Sequence, residues 1–137
     1  MARRRSALYY VRVPILAEEY AVHVYIGPAT QVMRAAQQRL ARAGLQHTLL
    51  GSLDGMRGIA WNCLPAHNPI IGVRSDLAPV DAAATLAHEA SHALGFIARQ
   101  TGLDDEAGEF RAHGISAVLR LAGPHRRTRR GRKGRRH

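Results

Sequence analysis

The chain has 137 residues, of which 46% are hydrophobic, and a formal net charge of +10. That length fits one domain with a core of its own, and no apolar run approaches the ~18 residues of a membrane span. The single cysteine, Cys63, excludes an internal disulfide framework and leans toward a reducing compartment; with no second thiol to share a metal, it reads as a buried small hydrophobe.

The positive charge is concentrated at the ends. Arg3, Arg4 and Arg5 carry part of it, and Arg126, Arg127, Arg129, Arg130, Arg132, Lys133, Arg135 and Arg136 carry most of the rest. Without these, nine Lys and Arg face ten Asp and Glu, so the body is close to neutral. Three parts are expected: a basic arm over 1–6, a folded domain over 7–123, and a disordered Arg-rich tail over 124–137. Tyr9, Tyr10 and Arg12 interrupt any apolar stretch after the basic start, so no signal peptide is expected.

Leu8 to Val13 is β-branched and aromatic and reads as a strand ending at Pro14. Tyr20 to Ile26 alternates and reads as its hairpin partner. His23, alone on that strand, reads as a sheet-face residue. Gly27-Pro28 breaks the strand, and Ala29 to Ala43 reads as an amphipathic helix stopped by Gly44. Val32, Ala36, Leu40 and Ala43 form its apolar stripe; Arg34, Gln38, Arg39 and Arg42 face solvent. Further strands are expected at Gln46 to Leu50, Gly58 to Leu64 and Ile70 to Val73, with His47 and His67 in loops or at strand edges.

The next helix carries His88-Glu89-Ala90-Ser91-His92, an H-E-x-x-H motif. Alanine and leucine dominate its flanks, Pro79 suits a first turn and Gly102 a C-terminal stop. Leu86, Leu94 and Ile97 form the expected buried stripe. Residues four apart share one helix face, so His88 and His92 can address one ion. Neutral imidazoles suit Zn2+, whose bound water has a pKa near 7. Glu89 is then the general base that takes the proton of that water. A last helix is expected from about Asp105 to Leu121, with Phe110, Ile115, Val118, Leu119 and Leu121 as core candidates, stopped by Gly123-Pro124.

A catalytic zinc site takes three protein ligands and leaves one position open. A third histidine six residues after His92 is ruled out, because Ala98 stands there. A Glu from the following helix is the better solution. Glu109 lies across the Gly102 turn, with Glu106 and His113 as rivals. These residues stand three and four apart and can share a face. Glu109 is favoured as ligand. His113, one turn on, is then placed to donate to a developing oxyanion or to steady a ligand. The favoured reading of Glu106 is a first-turn acid that complements the helix dipole.

The stretch from Thr85 to His92, together with Glu109-Phe110-Arg111-Ala112-His113 and Ala117-Val118-Leu119, resembles the small H-E-x-x-H zinc-peptidase-like proteins of phage and prophage genomes. Their pattern is a motif helix, a short turn, then a helix opening Glu-Φ-x-Ala-Tyr (Φ apolar), preceded by a small sheet with a Val-Pro-type first strand; Arg12-Val13-Pro14-Ile15 agrees with that start. The resemblance implies that Glu109 is the third ligand. His113 stands where that family has Tyr. A fainter likeness to SprT-like proteases centres on Gly108-Glu109-Phe110, but Ala107 occupies the place of their third His.

The expected fold is α+β and zincin-like: a small mixed or antiparallel sheet packed on three helices, with the motif on the second. The expected function is zinc-dependent hydrolysis of a peptide bond in a peptide or protein, in the cytoplasm of a bacterial host or with a virion. An edge strand, with Ile70 to Val73 as the candidate, would line the cleft and pair with the substrate backbone. The alternative is a nucleic-acid-associated protein with a structural or vestigial zinc site, bound through its tail by phosphate contacts. No membrane association is expected.

Overall fold

The computed structural model describes residues 7–45, 51–103 and 108–123. Two strands, β1 (Tyr9–Ile15) and β2 (Tyr20–Gly27), are followed by helix α1 (Ala29–Arg42). Strands β3 (Gly58–Trp61) and β4 (Ile70–Arg74) then lead to α2 (Pro79–Thr101) and α3 (Glu109–Ala122). The basic arm, the strand expected over 46–50, Glu106 and the tail lie outside the described residues.

The protein is α+β; the described residues form three helices on a four-stranded mixed sheet of order β1-β2-β4-β3. β1 and β2 form an antiparallel hairpin, β2 and β4 run parallel, and β3 is antiparallel to β4. Period-two alternation sends side chains to two separate cores. Val13, Val22, Val24, Ile26, Ile71 and Val73 pack against Leu86, Leu94, Ile97 and Val118 of α2 and α3. Tyr25, Trp61 and Ile70 pack on the other side against Val32, Ala36 and Leu40 of α1. The sheet is thus sandwiched between α1 and the α2–α3 pair. Among the described residues no helix is long and apolar enough to cross a membrane.

Three sequence expectations change. β1 runs through Pro14 to Ile15. As an edge strand it tolerates a residue that cannot donate, and Pro14 is exposed there. The Ile70 to Val73 segment is not an edge: β4 lies between β2 and β3, and β3 holds the outer position beside α2. Its four residues are all buried, as in a strand covered on both faces. Finally, Arg39 does not point to solvent. It folds back over the Tyr10 ring, 4.7 Å from the centroid, and its Nε donates to the Tyr25 hydroxyl at 2.6 Å.

The charge of that arginine is felt by His23, which is only 6% exposed. The Tyr10 hydroxyl lies 2.8 Å from its Nδ1, and the His67 ring packs 5.0 Å away. Burial, then the positive charge of Arg39, then His67 and Arg12 depress the His23 pKa to about 3. In the unfolded chain it titrates near 6.5. Between those values the unfolded state binds more protons, so stability falls as pH drops from about 6.5 toward 3, by on the order of a few kcal/mol in total. Urea midpoints at pH 7 and pH 4 should therefore fall further for the wild type than for His23→Gln. Equal falls would show that His23 is not the titrating group.

Candidate functional site

Helix α2 begins at Pro79, whose missing N–H costs nothing in a first turn, and ends at Gly102 in the left-handed region (φ 72°). Its apolar residues anchor it on the sheet and on α3, which fixes where its other stripes point. Leu86, Leu94 and Ile97 are buried, while His88 and His92 are exposed. The two imidazoles meet edge to face, with centroids 4.8 Å apart and planes at 85°. Their Nε2 atoms are 3.2 Å apart. Two nitrogens each bound at 2.0–2.1 Å to a tetrahedral zinc would be roughly 3.3–3.4 Å apart, so the pair fits two ligands of one ion.

Glu89, one residue on, is rotated toward β3 and is 8% exposed. Burial raises its carboxyl pKa, while the nearby His88 and His92 act in the opposite sense. The strand approaches closely because Gly58 has no side chain. A Cβ there would lie 2.6 Å from Thr85 Cγ2, 3.2 Å from Glu89 Cγ and 3.2 Å from the Gly72 carbonyl oxygen. Gly58→Ala must therefore push β3 away from α2. A loss of about 1–3 kcal/mol is expected by urea denaturation, with the histidine pair itself untouched. An unchanged midpoint would mean that the strand does not rest on Thr85 and Glu89.

Helix α3 packs along α2, with Gly114 against the Leu94 side chain and Arg111 across Gly95. Glu109 is its first residue, after Gly108 in the left-handed region (φ 68°). Glu109 and His113 both fall on the exposed side of α3. Among the described residues, no group of three or more His, Cys, Asp or Glu side chains is gathered in a metal-holding arrangement. The structure thus brings His88, His92 and Glu89 together on adjoining faces of α2, and does not add Glu109 or His113 to the group. Gly58, Thr85 and Arg111 were not singled out in the sequence. Gly58 could have been found as the glycine that opens a strand.

Two other features are separate from this site. Cys63 is half-buried, and burial pushes its thiol up to about 11, as suits an inert packing residue. A depression of about 440 Å3 lies where β2 and β4 end and α1 begins, lined in part by Asp54, Arg74 and Asp76. Its cation is already matched, since Arg74 pairs with Asp76 at 2.6 Å. Searches against protein-family models, curated proteins and solved structures find no match to this chain.

Proposed function

We propose that this chain is a minimal zincin-like, zinc-dependent peptidase. The observation that supports the reading most is the 3.2 Å convergence of the His88 and His92 Nε2 atoms, with the buried Glu89 next to them on α2. His88 and His92 would hold the ion. Glu109 is the proposed third donor, in keeping with the resemblance to phage-type proteins and with the return of α3 along α2. Zinc, when bound, acts as a Lewis acid toward the carbonyl and brings the pKa of its water near 7.

The chain's own residues do the rest. A Glu89 carboxylate oxygen takes a proton from the attacking water, whose oxygen bonds to the carbonyl carbon. The same carboxyl then delivers the proton to the departing amine nitrogen as the C–N bond breaks. Among the described residues β3 is the outermost strand on its side of the sheet, and its backbone donors and acceptors would pair with an extended peptide. Incubation of the zinc-loaded protein with an unfolded protein, read by mass spectrometry, should show fragments that are absent with Glu89→Gln. Identical fragment patterns from the two proteins would sink the reading.

The charge of the sequence favours a second role. The eight Lys and Arg after Pro124 would bind phosphates with strong salt dependence, and a chain ending at Gly123 should lose that affinity. If the shortened chain binds nucleic acid equally well, the tail has no such role.

A further inference from the structure

The stripe of α2 that carries the histidines continues beyond them. With 3.6 residues per turn, Gly95 and Arg99 fall with His88 and His92 inside an arc of about 60°. Gly95 is nonetheless buried, because Arg111 lies across it. The Arg111 Nη2 atom is 3.0 Å from where a Cβ would stand at Gly95, and the Arg99 Nη1 atom is 3.8 Å from the same point. Arg99 also leans over the Phe96 ring, 5.5 Å from its centroid, which steadies it. Two guanidinium groups from two helices therefore converge on one spot of the histidine stripe. Two guanidinium groups aimed at one spot can both donate to a single carboxylate there, in charge-assisted hydrogen bonds. A guanidinium has five donors in a planar fork, so Arg111 can keep its other interaction and still receive a carboxylate.

We propose that Arg99 and Arg111 form a carboxylate-binding subsite over Gly95. Gly95 is three residues past His92, about 4.5 Å along the axis. An extended peptide advances about 3.3–3.6 Å per residue. A carboxylate seated there lies one or two residues from a peptide bond placed over the histidines. That the subsite serves cleavage rests on the peptidase reading; that it binds a carboxylate does not. The carboxylate is either a peptide's C-terminal group, which makes the protein trim chain ends, or an Asp or Glu side chain, which makes it cut beside acidic residues.

The test is a titration of the full chain, once zinc-loaded and once in chelator, followed through the Gly95 backbone amide by NMR. The probes are N-acetyl-trialanine with a free carboxylate, the same peptide as its C-terminal amide, and an amidated N-acetyl-Ala-Glu-Ala. The free acid or the Glu peptide should move the Gly95 signal in both metal states, and the plain amide should not; which of the two binds better identifies the source. Arg111→Gln should weaken binding about tenfold or more, with Arg111→Lys partly restoring it. Arg99→Gln, an exposed change that leaves the α2–α3 contact alone, should weaken it several-fold. Equal binding of acid and amide, no shift at Gly95, or wild-type affinity in the Arg99→Gln and Arg111→Gln proteins would overturn the subsite. Binding in chelator with no cleavage in zinc would keep the subsite and reject the peptidase reading.

Discussion

Glu89→Gln is expected to lower peptide hydrolysis by on the order of 10²–10⁴, the range for losing a positioned general base, while zinc stays bound. The substitution keeps the size and polarity of a buried side chain packed against Gly58 of β3, but the amide cannot accept and return a proton. It also removes the need to ionise a sheltered carboxyl, so the folded state should be no less stable. The pattern to look for is a loss in kcat with metal content and thermal midpoint preserved. A parallel loss of zinc would make Glu89 a ligand or a support for one, and unchanged turnover would remove it from the chemistry.

The second large effect is on metal affinity. His92→Ala deletes one of the two nitrogens that converge at 3.2 Å. Zinc affinity should fall by more than the ~10–100-fold seen when only a hydrogen-bond partner of a ligand is lost. His92 is exposed on α2, so the fold should survive. Competition with a chromophoric chelator reads the affinity, and circular dichroism checks the helix. His88→Ala should behave alike, because the two rings are equivalent donors one turn apart. If either variant binds zinc as well as wild type, the paired rings are a surface feature of α2 and not a metal centre.

The helix that carries these residues was legible in the sequence because its signals are local. Pro79, the alanine-rich body and Gly102 mark its span, and the four-residue spacing of His88 and His92 guarantees a shared face. The two cores were partly legible, since alternation in β2 separates Val22 and Val24 from Ala21 and Tyr25. Strand order was not, because alternation says which face a residue takes and nothing about its neighbours. The unbroken run Ile70-Ile71-Gly72-Val73, with no polar residue in it, was the available hint that β4 sits inside the sheet. His23 shows the same limit. Its surroundings are Tyr10 of β1, a loop residue, His67, and the nearby charge of Arg39 of α1, brought together only by tertiary packing. The role of Glu109 depends on how α3 is rotated about its axis. That rotation is set by Gly114 against Leu94 and by the backbone at Gly108, and no spacing rule along the chain encodes it. The guanidinium pair over Gly95 was hidden for a related reason: Arg99 is in register with the histidines, but Arg111 arrives from another helix.

The most direct test of the zinc centre is the metal content of the full chain, purified without a histidine tag or added metal, for wild type and Glu109→Ala together. About one zinc per wild-type chain is expected, with a marked loss in Glu109→Ala. Zinc kept in full by that variant would move the third donor to Glu106 or His113. A wild-type chain that neither carries zinc nor takes it up would contradict the centre at His88 and His92, and the peptidase reading with it.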